Sequence, residues 1–314
     1  MKKKSLFGKI KSFVLEPGTR FSYLTELGLT KWMSDEAFIK KQFRLSMGYN
    51  LDLKNPRTYN EKLQWLKLYN RNPLYTSMVD KYSVKEYVAS IIGNQYVIPT
   101  IGVWERPEEI DFASLPEQFV LKCTHDSGGI VVCKNKKDLN THDAIKKLKR
   151  CLKRDYYSIH REWPYKDVPR RIIAEKYMED YETGDLRDYK IFTFNGEAKL
   201  LYVASDRQNP NEETKFDFFD LEFNHLPIVN GHPNSSTIPE KPSRLNEMII
   251  CAEKISKNIP HLRVDFYEIN GRVYFGEATF FHMSGFAPFY PAKWDELFGS
   301  WIKLPEYAGG QIVE

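Results

Sequence analysis

Cysteine is scarce in this sequence, and its spacing excludes the commonest kinds of cysteine chemistry. Only four cysteines occur in 314 residues, Cys123, Cys133, Cys151 and Cys251, and no two of them form a CxxC pair. A structural zinc site or a redox-active dithiol is usually marked by such a pair, so neither is indicated. The even number leaves room for two disulfide bonds. Scattered single cysteines are also typical of a reduced, cytosolic enzyme, and we favour that interpretation.

Long apolar runs and a strong excess of charge are also missing. No stretch reaches the roughly 18–20 apolar residues of a membrane-spanning helix. The first residues, MKKKSLFGKIKSFVLEPG, lack the long apolar centre of a signal peptide. The 46 basic and 42 acidic residues give a net charge of +4, which is too small for broad contact with nucleic acid. These absences predict a cytoplasmic protein with no nucleic-acid partner.

The N-terminal segment is nevertheless amphipathic. Its apolar residues alternate with lysines, as in Leu6, Phe7, Ile10, Phe13 and Val14 against Lys4, Lys9 and Lys11. A helix with this pattern can lie on an anionic surface. This would place the protein peripherally at the inner face of the cell membrane, or against a lipid-linked glycan. A solvated helix packed on the body of the protein is the alternative interpretation.

The order of helical and strand patterns predicts the α+β class. Residues from about 20 to 78 read as helical, and Thr58 with Glu61 forms a capping box in front of one helix. From residue 97 onward short strands appear, and Asn195-Gly196 is a typical turn between two of them. Hairpins rather than repeated strand–helix–strand units dominate, which favours α+β over alternating α/β.

The stretch FVLKCTHDSGG, residues 119–129, begins as a buried strand and ends as a flexible loop. It lacks the GK[ST] ending of a P-loop. Lys122 is flanked by apolar residues, where a lysine is costly unless its ammonium reaches an anion or water. The backbone N–H groups of the following loop can hold phosphate oxygens. An edge-strand lysine before an ordinary turn is the alternative. A hydrolase triad of His125, Asp126 and Ser127 is disfavoured, because sequence neighbours rarely adopt that geometry.

The last hairpin, LRVDFYEINGRVYFGEATF, carries two carboxylates and an arginine. Side chains alternate between the faces of a strand. A three-residue loop with Gly271 in the left-handed region would place Arg263, Asp265 and Glu277 on one face. A tight two-residue turn would separate Asp265 from Glu277, so we predict the wider loop. One or two carboxylates suit Mg²⁺, and the arginine can stabilise charge on a transferred group. A surface ion pair is the alternative.

Two further segments carry candidate binding residues. The apolar strand IIAEKYM can present backbone groups to an adenine edge, and the later carboxylate of Glu182 can hold ribose hydroxyls. A plain strand end is the alternative reading. The stretch from 206 to 243 is rich in loops and holds five of the 17 prolines, so we expect it to be mobile or to face substrate. Arg207 lies at its start.

Taken in order, these elements resemble the ATP-grasp superfamily. The segments VDKYSVK, FVLKCTHDSGG, IIAEKYMEDYE, RVD and GEAT follow one another in the order of that superfamily, over about residues 79–285. The motifs NPRTYNEKLQWLKLYN, LPEQFVLKC and YFGEATF are similar to those of the TupA-like ATP-grasp family, which is linked to teichuronopeptide and other surface-polysaccharide synthesis. The resemblance implies two α+β subdomains that clamp ATP, over residues 79–180 and 181–314, behind a helical region at 1–78.

The resemblance also implies roles for individual residues. The implied ATP ligands are the phosphate-binding Lys81, Lys122, Ser127, Gly128 and Gly129, the hinge residues Glu175, Lys176, Tyr177 and Met178, and the ribose-binding Glu182. Asp265 and Glu277 would bind Mg²⁺, and Arg263 would neutralise the transition state of acyl transfer. Lys190 is a further catalytic candidate on the phosphate side.

One departure from the superfamily affects the metal site. Many ATP-grasp ligases have Glu-x-Asn where this chain has Glu277-Ala278-Thr279. Threonine is a poorer ligand than asparagine, so a second metal ion is not assured by the resemblance. His282 and Ser284 follow shortly afterwards. Together with His125 and Arg207, they are candidates for contact with substrate.

The implied function is ATP-dependent ligation of a carboxylate to an amine, with release of ADP and phosphate. The substrate would be a cell-surface polysaccharide, as in a capsule or cell envelope, or its precursor, with a uronic acid amidated by an amino acid. A glycosyltransferase of the same pathway is the alternative, although no convincing DxD site is present. A non-catalytic module that binds nucleotide or glycan is a third possibility.

Overall fold

The computed structural model describes residues 16–181, 186–205, 212–308 and 311–312. Helices dominate the first third of this part of the chain. The α-helices within these ranges are α1 (Pro17–Glu26), α2 (Asp35–Met47), α3 (Tyr59–Tyr69), α4 (Leu74–Val79), α5 (Ser83–Ile92), α6 (Thr141–Leu152), α7 (Tyr157–His160), α8 (Leu245–Ile255) and α9 (Lys293–Trp301). The amphipathic N-terminal segment, Glu182 and Arg207 lie outside the described residues, so the predictions made for them stay predictions.

The strands form two main sheets. Their bounds are β1 (Thr100–Trp104), β2 (Phe119–Cys123), β3 (Ile130–Cys133), β4 (Ile172–Lys176), β5 (Asp188–Phe194), β6 (Glu197–Ser205), β7 (Lys215–Phe219), β8 (His225–Leu226), β9 (Val229–Asn230), β10 (His261–Ile269), β11 (Arg272–Thr279), β12 (Phe289–Tyr290), β13 (Tyr307–Ala308) and β14 (Gln311–Ile312). One sheet has the order β1-β4-β2-β3, and the other has β11-β10-β5-β6-β7-β8. All pairings within both sheets are antiparallel. The predicted α+β class is confirmed.

Local sequence signals account for several of these elements. Thr58 accepts a hydrogen bond from the backbone of Glu61, whose side chain returns one to the backbone of Thr58, so the predicted capping box begins α3. Asn195 and Gly196 form the predicted two-residue turn between β5 and β6, with φ of 52° and 86°. Positive φ at both turn positions is the geometry that asparagine and glycine tolerate best.

The larger core joins the helices α3 to α5 to the six-stranded sheet and to α8 and α9. Tyr59, on α3, is completely buried, and its ring lies 5.1 Å from that of His261 and 5.9 Å from that of Phe298. The four-stranded sheet has a separate core with α6, which includes Phe119 and Leu148. Residues of α3 and α9, far apart in the sequence, therefore share one core, and the smaller sheet has a core of its own.

All four cysteines are buried and free of disulfide bonds, as expected for the reduced interpretation. Within the described residues, no helix is long and apolar enough to cross a membrane.

Candidate active site

The turn of the β10–β11 hairpin differs from the prediction. Ile269 pairs with Arg272, so only Asn270 and Gly271 lie in the turn, with φ of 51° and 69°. The predicted wider loop was wrong, because the Asn-Gly pair favours the tight turn with positive φ at both positions. A tight turn alone would place Asp265 and Glu277 on opposite faces, and yet the two residues are directly paired.

An irregularity farther along the hairpin restores the pairing of the two carboxylates. Phe266 pairs with Phe275, whereas Asp265 pairs with Glu277, so Gly276 is an extra residue in β11. An added residue of this kind is a β-bulge, which shifts the side chains beyond it by one position. A Cβ atom at Gly276 would lie 3.1 Å from the carbonyl oxygen of Asp265 and 3.1 Å from the ring of Tyr267. Glycine is therefore the residue that best allows this bulge.

The bulge creates a row of charged side chains across three strands. Lys190 of β5 pairs with Asp265 of β10, which in turn pairs with Glu277 of β11. Arg263 lies two residues from Asp265 and donates two hydrogen bonds to its carboxylate, from Nε to Oδ1 at 2.7 Å and from Nη2 to Oδ2 at 2.8 Å. Nη2 of Arg263 also donates to Glu277 Oε1 and to Thr279 Oγ1, each at 3.0 Å. The structure thus brings together the residues that the sequence placed on one face.

Lys190 is buried inside this row. Its ammonium forms ion pairs with Asp265 and with Asp188, the latter at 3.0 Å. Burial alone would lower the pKa of Lys190, but Asp188 and Asp265 outweigh it and raise that pKa above its ordinary value. Lys190 is therefore charged at neutral pH. Asp188 is an additional acidic neighbour that the sequence analysis did not identify.

The two candidate metal ligands differ in their availability. Burial raises the pKa of Asp265 to about 6, against the opposing effect of Arg263 and Lys190, and both of its oxygens are engaged by these cations. The Glu277 side chain is half exposed. Its burial favours a higher pKa, but Lys190, Arg263 and Lys81 hold the pKa well below its usual range. Glu277 is therefore an ionised carboxylate that is about half open to solvent.

The carboxylates form a donor set that suits Mg²⁺, which commonly takes one or two carboxylates and completes its shell with phosphate oxygens and water. Over the described ranges, no group of three or more His, Cys, Asp or Glu side chains is arranged to hold a metal. A bound ion would take Glu277 directly, whereas Asp265 would have to exchange part of its contact with Lys190. The predicted metal role of both residues stays a prediction.

Lys81 connects the charged row to the loop after β2. Its Nζ donates to the backbone carbonyl of Asp126 at 2.7 Å. Burial lowers the pKa of Lys81, and the nearby Glu277 opposes this effect. The ammonium therefore lies between the loop and the β10–β11 hairpin. Asp126 is in turn held by Arg154, whose Nη1 lies 3.2 Å from Oδ1.

The loop after β2 is exposed at Ser127 and Gly128 and buried at His125. Gly128 has φ of 118°, and a Cβ at Gly129 would lie 2.8 Å from the Cβ of Cys151. Glycine is thus required at both positions, by conformation at the first and by close packing against α6 at the second. Burial lowers the pKa of His125, so this predicted substrate contact is a neutral ring beneath the loop.

Lys122 is held by a buried carboxylate. Its Nζ lies 2.6 Å from one oxygen of Glu175, and Nζ of Lys85 lies 2.5 Å from the other. Burial opposes ionisation of Glu175, but Lys122 and Lys85 together lower its pKa. The side chain of this predicted hinge residue therefore fixes two lysines. Lys85 was missed by the sequence analysis, although it lies one helical turn beyond Lys81 and could have been found by that spacing.

The open face of the smaller sheet combines Lys122 with apolar side chains. Ile130 pairs with Lys122, Val132 pairs with Val120, and both Ile130 and Val132 are exposed. Side chains that are direct cross-strand neighbours share one face. An exposed apolar surface beside a lysine is suited to a flat heterocyclic base with a charged group attached.

The predicted hinge residues span the end of β4, with Glu175 and Lys176 in the strand and Tyr177 and Met178 after it. Lys176 and Tyr177 line a groove of about 760 Å³ together with Pro99 and Ile101. Lys134 lies over the ring of Tyr177 at 5.4 Å. Lys122, Glu175 and the charged row do not line this groove. The groove therefore lies at the ends of the strands, away from the residues predicted to bind phosphate. Met178 lies two residues beyond the end of β4 and is half-buried.

His282 lies directly behind Arg263. Its Nδ1 accepts from Nη1 of Arg263 at 3.0 Å, and its Nε2 lies 2.9 Å from Oδ1 of Asn230. Burial, reinforced by Arg263, lowers the pKa of His282 well below its ordinary value. A neutral ring protonated on Nε2 satisfies both contacts. The structure therefore places this substrate candidate as a support of Arg263.

Ser284 belongs to a strained segment beside the same site. Met283, Ser284 and Gly285 have φ of 47°, 55° and 61°, a conformation that costs free energy at residues other than glycine. Polar side chains of α3 hold this segment: Gln64 donates to the carbonyl of Gly285 at 2.6 Å, and Lys67 donates to that of Ser284 at 2.6 Å.

Ser284 also contacts one member of a buried pair of opposite charges, Glu162 and Lys67. Its hydroxyl donates to Glu162 at 2.5 Å, and burial raises the pKa of Glu162 while Lys67 opposes that shift. The following Tyr165 packs edge-on against Tyr156, with ring centroids 4.6 Å apart. The segment from Tyr156 to Tyr165 was not assigned a function from the sequence, and no local pattern marks it as part of a site.

Comparison with known proteins adds a family match. The family described as TupA-like ATPgrasp matches residues 61–303. No curated protein matches the chain by sequence. Among solved structures, the D-alanine–D-alanine ligase of Bacillus anthracis complexed with ATP is 16% identical, with 64% of this chain and 54% of that chain covered and a TM-score of 0.38.

Two further solved structures are similarly distant. The ATP-grasp ligase PsnB complexed with minimal precursor is 9% identical, with coverage of 66% of this chain and 53% of that chain and a TM-score of 0.38. The D-cycloserine synthetase DcsG is 15% identical, with coverage of 66% and 64% and a TM-score of 0.39. The chain spans about half the length of the first two structures that it matches.

Proposed function

The chain belongs to the TupA-like ATP-grasp family, and from this premise we propose that it is an ATP-dependent carboxylate–amine ligase. Its acid substrate would be a uronic acid of a cell-surface polysaccharide or precursor, and its amine an amino acid. The observation that carries the proposal is the buried Arg263, held between Asp265 and Glu277 with Lys190 and Lys81 nearby. Such a cluster is preorganised to bind and neutralise a transferring phosphoryl group.

The proposed reaction has two steps. A carboxylate oxygen of the acid attacks the γ-phosphorus of ATP, and the bond to the β–γ bridging oxygen breaks to release ADP. The amine then attacks the carbonyl carbon of the acyl phosphate, an amide bond forms, and inorganic phosphate leaves with the bonding electron pair. The ammonium of the amine substrate loses two protons in all, one to solvent before it attacks and one to solvent or to the departing phosphate as the amide forms. No protein nucleophile is needed in either step.

The protein contributes position and charge. Lys122, fixed by Glu175, and Lys81, fixed by the carbonyl of Asp126, would contact phosphate oxygens from the side of the smaller sheet. Arg263 would face the same group from the larger sheet. Its guanidinium is rigid because Asp265 and His282 both bind it. Electrostatic preorganisation of this kind lowers the barrier without reorganisation during reaction.

A magnesium ion, if bound, would be held by Glu277 and Asp265 and would supply further positive charge to the phosphates. The residues on the smaller sheet have a separate task. The apolar Ile130 and Val132 beside Lys122 would accommodate adenine.

The proposal is tested by an ADP-release screen of uronic acids against amino acids, with mass spectrometry of the products. We expect ADP and phosphate only when acid, amine and ATP are all present, together with an amide of the corresponding mass. Release of a nucleoside diphosphate from a nucleotide sugar without ATP would instead support the glycosyltransferase. Binding of ATP without turnover under every combination would support the non-catalytic module.

A substitution at Glu277 provides the internal control. Glu277→Gln should lower ADP release by at least about a hundredfold, because it removes the exposed anion of the charged row. Glu268→Gln lies on the same hairpin but contacts Ser243 outside the site, and it should leave the rate within about twofold of the wild type. Equal rates for both variants would remove Glu277 from the mechanism.

A further inference from the structure

Three large apolar side chains protrude from the turn that follows α1. Leu27, Leu29 and Trp32 are 71%, 58% and 84% exposed. They lie within six residues of one another. Single exposed apolar residues are common on protein surfaces, but a group of three on one turn marks an interaction site.

The turn that carries them is well defined. Leu29 donates its backbone N–H to the carbonyl of Leu24 at 2.9 Å, and Gly28 donates to that of Thr25 at 2.9 Å. With Gly28 at φ of 75°, these two bonds form a Schellman motif that ends α1. The motif turns Leu29 away from the helix, so the exposure of this side chain follows from a regular structure.

The turn is also fixed from beneath. Thr30 is buried, and its carbonyl accepts a hydrogen bond from Nη2 of Arg161 at 3.0 Å. The neighbouring Lys31 forms an ion pair with Asp155 at 2.7 Å. Two residues of the segment after α6 therefore hold the turn, and the three apolar side chains project from a rigid base.

The indole of Trp32 presents only apolar surface to its surroundings. Its Nε1 donates to the carbonyl of Leu29 at 3.0 Å, so the one polar atom of the ring is already satisfied within the turn. An indole in this state loses no hydrogen bond when it leaves water. Tryptophan is also the side chain most typical of the interface between water and lipid.

The charge of the sequence up to and including this turn selects among partners. The first 32 residues contain seven basic side chains and only two acidic ones. The basic ones are Lys2, Lys3, Lys4, Lys9, Lys11, Arg20 and Lys31. Each basic residue near an anionic bilayer contributes about 1 kcal/mol to binding. By contrast, a stable dimer buries about 800 Å² on each partner, far more than three side chains on one turn can offer.

We propose that the tip formed by Leu27, Leu29 and Trp32 inserts into the interfacial region of an anionic membrane, to which the net positive charge of the N-terminal sequence attracts the protein. This contact is independent of the proposed function. It would nevertheless serve that function, because the segment that anchors the tip through Asp155 and Arg161 also carries Glu162, which accepts a hydrogen bond from Ser284. A lipid-linked acid would then reach the site from the bilayer.

Flotation of the full-length protein with vesicles tests the proposal. Vesicles of phosphatidylglycerol and phosphatidylcholine should bind the wild type, and vesicles of phosphatidylcholine alone should bind it at least about tenfold more weakly. The triple variant Leu27→Ser, Leu29→Ser, Trp32→Ser should bind the anionic vesicles at least about tenfold more weakly than the wild type. Ile250→Ser, which changes an exposed apolar residue of α8, should bind as the wild type does.

Quenching by brominated acyl chains locates the tip directly. Tryptophan fluorescence of the wild type should be partly quenched by brominated anionic vesicles, and Trp32→Phe should remain bound but lose that quenching. Failure of the wild type to bind anionic vesicles would overturn the proposal. So would equal binding by the triple variant, which would assign binding to the basic sequence alone. A change from dimer to monomer in the triple variant would assign the tip to a second copy of the chain.

Discussion

Arg263 and His282 are joined by a hydrogen bond of 3.0 Å from Nη1 to Nδ1, and the opposite ring nitrogen of His282 is bound by Asn230. The guanidinium is therefore fixed from two sides, by Asp265 in the strand and by a neutral imidazole behind it. A charged imidazole could not accept this bond. The low pKa of His282 keeps the ring neutral and so preserves its contact with Arg263.

Substitution of His282 should impair catalysis without preventing ATP binding. His282→Ala removes one of the groups that orient Arg263 and leaves Asn230 without that partner. We expect kcat to fall about tenfold to a hundredfold, the usual effect of losing a supporting residue, with KM for ATP within about threefold. Steady-state ADP release measures both constants. His225→Ala, at a histidine bound to Asp217 away from the site, is the control, and an equal loss there would contradict the supporting role.

The bulge at Gly276 can be tested against the other glycine of the hairpin. Gly276→Ala introduces a Cβ that meets backbone and ring atoms at 3.1 Å, so we expect the pairing of Asp265 with Glu277 to be disturbed and activity to fall at least about tenfold. Gly271→Ala has open space but an unfavourable φ of 69°, and should cost about 1–2 kcal/mol of stability with little loss of specific activity. Thermal unfolding and activity should thus separate the two variants.

The pair of lysines on Glu175 should control ATP affinity. In Glu175→Gln the ammonium groups of Lys122 and Lys85 lose their shared anion and repel each other, which displaces Lys122. We expect KM for ATP to rise about tenfold, with a smaller change in kcat, and Lys85→Met to have a weaker effect in the same direction. Lys199→Met removes an exposed ion pair with Glu197 and should change neither constant. An unaltered KM in Glu175→Gln would argue against this role.

Acid should destabilise the protein through His261. This ring is buried, accepts from Tyr59 and donates to the carbonyl of Thr193, and burial lowers its pKa to about 3. Below pH 6.5 the unfolded chain binds a proton that the folded ring excludes. The contribution of His261 is complete above that pH and decreases by up to about 1.4 kcal/mol per pH unit as pH falls toward 3.

Urea unfolding between about pH 4 and pH 7 measures this dependence. The free energy of unfolding should fall less steeply with acid in His261→Gln than in the wild type. Parallel curves for the two proteins would show that His261 is not the responsible group.

Much of the fold and part of the site could be predicted from local patterns. The capping box of α3, the tight turn at Asn195-Gly196 and the alternation along β10 all depend on near neighbours. The pairing of Asp265 with Glu277 was predicted for the wrong reason, since the two carboxylates meet because of the bulge at Gly276 rather than because of a wide turn. A lone glycine within a strand pattern does indicate a bulge, so the correct signal was present in YFGEATF.

The remaining features depend on contacts between distant residues. Lys67 holds a carbonyl that is 217 positions away in sequence, and the charges of Glu162 and Lys67 are balanced only after the chain has folded. No periodicity or motif spacing reports such a pairing. The burial of His282 behind Arg263 is likewise a result of packing. The sequence could not show it, and we therefore predicted a contact of His282 with substrate.

The shared core of α3 and the six-stranded sheet has a consequence for how the chain is made. The ring of Tyr59 is completed by contacts with His261, Phe289 and Phe298, which leave the ribosome some two hundred residues later. The smaller sheet has its own core, so it can fold before the larger core, whose residues precede and follow it in the sequence. During synthesis α3 can therefore complete its packing only after β10 and α9 have emerged, and fragments that stop before β10 should depend on chaperones.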